Sequence, residues 1–68
     1  MYYLIVLKDA QAVSTFDSLE KAMSAYHQEL ASDYLYFEDG TIDAFTVLVI
    51  NQSGDIVEKE FKLRQKGE

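Results

Sequence analysis

The residue types that usually perform chemistry are few in this chain and poorly spaced for it. There is one histidine, His27. A catalytic role would need a nucleophile or an orienting carboxylate beside it. At helical spacing its neighbours are Glu20, Met23, Ala31 and Tyr34, so no such group forms and His27 reads as a surface or boundary side chain. Glu38-Asp39-Gly40-Thr41-Ile42-Asp43 resembles the middle of a calcium loop. With Gly40 at the invariant sixth position, however, Leu35, Phe37 and Thr46 fall where the loop needs its carboxylates. The segment is therefore read as an acidic turn and not as a metal site. Gly40, Gly54 and Gly67 are isolated and none opens a helix, which excludes a phosphate-cradling loop. The serines have no nucleophile-elbow context. Aromatic rings are plentiful, but Lys8 is the only basic neighbour of Tyr2, Tyr3, Tyr34, Tyr36 or Phe45. A base-stacking platform needs cations beside its rings. The expectation is a protein that is not an enzyme, holds no cofactor or metal, and does not bind nucleic acid directly.

Composition narrows the class further. The chain has 68 residues and a net charge of −6, with no cysteine, proline or tryptophan. That length allows one hydrophobic core, hence a single domain over residues 1–64 with 65–68 as a frayed tail. A disulfide framework and a thiolate metal site are excluded. The apolar run Tyr2–Leu7 lacks a basic flank and a cleavage site, and is far shorter than the ~20 residues of a spanning helix. A cytoplasmic protein without membrane attachment is expected.

Elements can be placed from periodicity. Tyr2–Leu7 is apolar at every position and too short for a helix, the pattern of a central strand covered on both faces. Lys8–Gln11 turns the chain, and Val13–Phe16 offers a short second strand. Asp17 with Glu20 three residues later has the form of a capping box. Leu19, Ala22, Met23, Tyr26 and Leu30 then make one apolar stripe of a helix. Tyr34 and Phe37 continue its phase, and Glu38-Asp39-Gly40 ends it. Ala44–Ile50 is a second continuous apolar run. Asn51–Asp55 is a hairpin turn in which Gly54 supplies a positive φ. Ile56–Leu63 alternates as an edge strand, with Val57, Phe61 and Leu63 on one face and Glu58, Glu60 and Lys62 on the other. The fold class that follows is α+β: a three- or four-stranded antiparallel sheet with one helix on one face, ββαββ or βαββ.

One helix covers one face of such a sheet, yet two of its strands are apolar on both faces. Pairing the last two strands about Ser53-Gly54 sets Leu48 opposite Lys59 and Thr46 opposite Phe61. It places Phe45, Val47 and Val49 on the other face, against Lys62, Glu60 and Glu58. This second stripe is expected to lack a cover. A self-complementary homodimer with Phe45, Val47 and Val49 at its centre and Glu58, Glu60 and Lys62 at its rim would supply one. Folding Tyr34–Phe37 back over the stripe is the monomeric alternative. Charge gives a second expectation. Ala22–Glu58 contains no Lys or Arg but seven acids, and Glu38, Asp39 and Asp43 are the candidate surface for a basic protein partner. The function expected is that of a small acidic interaction or accessory protein acting as a homodimer. The alternative is an acidic, nucleic-acid-mimicking inhibitor or regulator of a basic, nucleic-acid-binding protein.

Overall fold

A computed structural model describes residues 1–64; the tail proposed for 65–68 lies outside the described residues. The chain forms β1 (Tyr2–Leu7), β2 (Gln11–Phe16), α1 (Leu19–Glu38), β3 (Ala44–Ile50) and β4 (Ile56–Leu63). The four strands make one antiparallel sheet in the order β2-β1-β3-β4, with α1 packed against it. Of the two connectivities expected, ββαββ is the one adopted. β2 starts two residues earlier than its apolar part, because Leu7 pairs with Gln11 and Val6 with Ala12 once the tight turn closes. The expected β3–β4 register holds from Thr46↔Phe61 to Val49↔Glu58. Beyond it the ladder shifts at a bulge, so Ile50 meets Ile56 and not Val57.

The helix begins one residue later than the capping box predicts. Ser18 is the N-cap, in extended conformation at φ −142° and ψ 153°, and its Oγ accepts from the Lys21 amide at 3.2 Å. Asp17 lies just outside, and its carboxylate meets Lys21 Nζ at 3.3 Å. Both residue types cap helices. The one that sits where the backbone turns from extended to helical takes the role. After the twenty residues of α1, Asp39 closes it, and Gly40 reverses the chain at φ +87°, a left-handed position that suits a residue without Cβ.

No basic residue lies in the last turn of α1; Arg64, just past β4, supplies the positive charge from outside. Its Nη2 donates to the Ile42 carbonyl at 3.2 Å and to the Phe37 carbonyl. Its Nε donates to Asp43 at 3.1 Å, and its guanidinium lies 4.4 Å from the Phe37 ring centroid. A cation over the terminal carbonyls of a helix opposes the negative end of its dipole.

The core lies between α1 and one face of the sheet. Leu4, Val6, Phe45, Val47 and Val49 meet Ala22, Tyr26 and Ile42 there. Phe45 is held edge-on by Tyr34 and Phe37, with ring centroids 5.1 and 6.0 Å away. This corrects the interface expected above. Phe45, Val47 and Val49 are 2%, 0% and 0% exposed; they are the floor of the core and offer no surface to a second copy. The physical reason is parity. Both faces of β3 are apolar, so the pattern does not say which one the helix takes. The continuation of α1 through Tyr34 and Phe37 covers the Phe45 side. Glu58, Glu60 and Lys62 consequently flank α1 and do not rim an interface, and Glu60 accepts from the Tyr34 hydroxyl.

Candidate functional site

With α1 on one side, the other side of the sheet is left open. The registers order its residues into rows that run across the strands. Thr15, Tyr3 and Ile50 form one, ending at Ile56; Val13, Ile5, Leu48 and Lys59 form the next; Gln11, Leu7, Thr46 and Phe61 form the third. Ala44 and Leu63 extend the far end. Val13, Phe61 and Leu63 are 51%, 63% and 68% exposed, and Ile5, Leu48 and Ile50 are half-buried only by their own neighbours. Lys59 is the one charged residue in these rows, and its ammonium lies over the Phe61 ring at 5.7 Å. At ~4.8 Å between strands and ~3.3 Å per residue, four strands of six residues give a footprint of roughly 400 Å². That is about the size of the largest apolar patch on a typical monomer, a feature that is often functional. Its rows present no histidine and no carboxylate to activate the hydroxyls of Tyr3, Thr15 and Thr46; what it can do is exclude water against another apolar surface.

The acids of the described residues lie elsewhere. Glu20, Glu29, Asp33 and Glu38 are on α1, Glu58 and Glu60 are on the helix side of β4, and Asp9, Asp17, Asp39, Asp43 and Asp55 are in turns and loops. Of the three proposed to meet a basic partner, two serve the turn they occupy. Asp39 Oδ1 accepts from the Thr41 amide at 2.8 Å, the Thr41 side chain and then that amide hold its carboxyl below its ordinary value, and Asp43 pairs with Arg64. Glu38 is exposed. Among the described residues no group of three or more His, Asp or Glu is placed to hold a metal ion. His27 is exposed, with its ring edge-on to Tyr26 at 5.3 Å.

One cluster escaped the sequence reading. Lys8, in the β1–β2 turn, reaches Glu29 at 3.1 Å and Asp33 at 2.9 Å on α1. Asp33 is fully buried, and its Oδ2 has no hydrogen-bond partner. Burial pushes Asp33 up, and Glu29 one turn away pushes it further. Burial acts in the same direction on Glu29, but Asp33 and Lys8 outweigh it and hold Glu29 below its ordinary value. The bond to Asp33 raises Lys8. A lysine so held is a poor base at neutral pH, and a sealed carboxyl meets no substrate, so the cluster ties the hairpin turn to the helix. A signal for it existed: Asp33 stands seven residues after Tyr26, on the buried side of α1, where an acid requires a partner.

Leu35 and Tyr36 are exposed and line a shallow depression with Ser32, Glu38 and Asp39. All five belong to α1 and its cap, and no second element converges on them. No helix of the described residues is long and apolar enough to cross a membrane. Compared with family models, with curated proteins and with solved structures, the chain finds no match in any of the three, and the open face of its sheet stands as the candidate site on geometry alone.

Proposed function

We propose that this is a small, non-enzymatic interaction protein of the cytoplasm that acts as a homodimer, two copies packing the open faces of their sheets together. The observation that carries the reading is that face: three mostly apolar rows across four strands, with Gln11, Thr15 and Thr46 as their neutral polar members and Lys59 as their one charge. A chain of net charge −6 resists self-association wherever its acids meet, and on this face none do. The same patch on two copies is self-complementary about a two-fold axis. Stacked sheets place their inner faces ~10 Å apart with interdigitated side chains, a geometry that suits Ile5, Leu48 and Ile50. The footprint is small beside the ~800 Å² per partner of a standard interface, which favours a dimer of micromolar strength over a permanent one. Light scattering at micromolar concentration tests this. A doubled mass that returns to 7.8 kDa in Leu48→Glu, with the helical signal intact, is expected. A wild type that stays monomeric overturns it.

The segregation of the acids to the helix side and the loops favours a second reading, contact of that side with a basic protein. Such binding would weaken as salt shortens the Debye length from ~10 Å at 0.1 M to ~3 Å at 1 M, and charge reversal at Glu38 would slow association. Affinity indifferent to both would leave the apolar face alone.

A further inference from the structure

The two edges of the sheet are built on opposite plans. β4 carries Glu58, Lys59, Glu60 and Lys62 within eight residues, and its ladder is interrupted by the bulge at Val49/Ile50. Charges and bulges are how natural sheets stop an edge from accepting another strand. β2 has neither. Gln11–Phe16 contains no charge, no glycine and no proline, and it pairs with β1 in unbroken register over six residues. Gln11 to Thr15 are all exposed. In an antiparallel ladder alternate residues of an edge strand turn their N–H and C=O groups outward. Among the described residues, no backbone bond from a loop or from α1 reaches those of β2.

We infer that β2 is a pairing edge that takes β2 of a second copy, antiparallel, about a two-fold axis near Val13 and Ser14, joining two sheets into one of eight strands. The second copy is the occupant that charge selects. Two-fold pairing about that axis would set Val13 opposite Ser14, Ala12 opposite Thr15 and Gln11 opposite Phe16, and like charges directly opposite destabilise a ladder. β2 incurs no such penalty, whereas β4 paired with itself about Lys59 would set Glu58 opposite Glu60 and Lys59 opposite Lys59. In a molecule of net charge −6, an uncharged margin is also where copies approach at least Coulomb cost. The contact uses main-chain groups along one margin and not Ile5 or Leu48, so it stands or falls independently of the face-to-face dimer.

The experiment is sedimentation of the full chain carrying Leu48→Glu, which removes the face contact, from micromolar to millimolar concentration. Amide hydrogen exchange is read in the same samples. A concentration-dependent dimer is expected, with alternate amides of β2 slowed as it forms. Dimerisation and slowing should both be lost on adding Ser14→Lys and both be retained with Ser14→Thr. Ser14 is exposed on the helix side, so unchanged thermal melts of these variants would show the fold intact. A Leu48→Glu protein that stays monomeric to millimolar concentration overturns the inference, and so does a dimer indifferent to Ser14→Lys. If Leu48→Glu leaves the wild-type mass unaltered, the face-to-face reading fails while the edge is still tested by Ser14→Lys.

Discussion

β3 carries two apolar stripes that are alike in composition and opposite in fate. Phe45, Val47 and Val49 are sealed beneath α1, while Thr46, Leu48 and Ile50, one residue out of phase, lie on the open side. A face of period two becomes core because a helix of sufficient length lies over it, not because it is more apolar. Here one helix of twenty residues covers one side, and the same kind of surface is left over on the other. The first stripe holds the monomer together; the second is available for association.

Substitutions on the two stripes separate these roles. Val47→Asp should have the largest effect. It places an unpaired carboxylate in the core at a cost above ~4 kcal/mol, a large share of the ~5–15 kcal/mol a domain has in all. The expected outcome is loss of the circular-dichroism signal, in contrast to Leu48→Glu. Next comes Phe45→Ala, which removes the ring between Tyr34 and Phe37 and should cost about 3–5 kcal/mol. Phe61→Ala on the open side should stay within ~0.5 kcal/mol for the monomer. Urea midpoints of the two variants decide whether burial differs as described.

Smaller effects probe what holds the helix over its stripe. Ser18→Ala should cost about 1 kcal/mol through the lost cap. Asp17→Ala should cost less, since an exposed ion pair contributes ~0–1 kcal/mol; equal shifts in melting temperature would return the cap to Asp17. The last effect appears only in alkali. The hydrogen bond to Glu60 pushes the Tyr34 hydroxyl from 10.0 up to about 12. A group raised on folding contributes stability that is whole below its unfolded value and lost as pH rises through the folded one. The Tyr34 contribution is therefore complete below pH 10 and disappears towards pH 12. Tyr34→Phe should lack that part of the alkaline decline, as melts between pH 9 and 12 would show.

Much of the architecture was legible because it depends on short-range patterns. Alternation in Ile56–Leu63 and turn residues at Asn51–Asp55 define a hairpin, and its register follows as far as Val49↔Glu58. The bulge was not legible, since an apolar residue stands at both Ile56 and Val57. The covered face of β3 was not legible either, because two equal stripes carry no sign. The candidate site was therefore anticipated in kind, an uncovered apolar face, and misassigned by one residue in phase. The acids at Asp39 and Asp43 were seen as a surface, but the groups they engage are the Thr41 amide and the Arg64 guanidinium, and the latter is 21 residues distant. Asp33 looked like one more solvated charge because its partner, Lys8, is 25 residues away.

The position of β1 has a consequence for how the chain is made. β1, made before the other three strands, is an inner one, with β2 on one side and β3 on the other. β2 is its neighbour in sequence, so that hairpin can close as soon as Phe16 is available. The other edge of β1 must wait for Tyr3 to meet Ile50, and loop-closure entropy has to be overcome before such distant contacts contribute. Until β3 arrives, Leu4 and Val6 have no sheet partner on that side. A β1–β2 hairpin formed at that stage has two open edges, and the pairing of β3 with β1 is the step that removes the inner one.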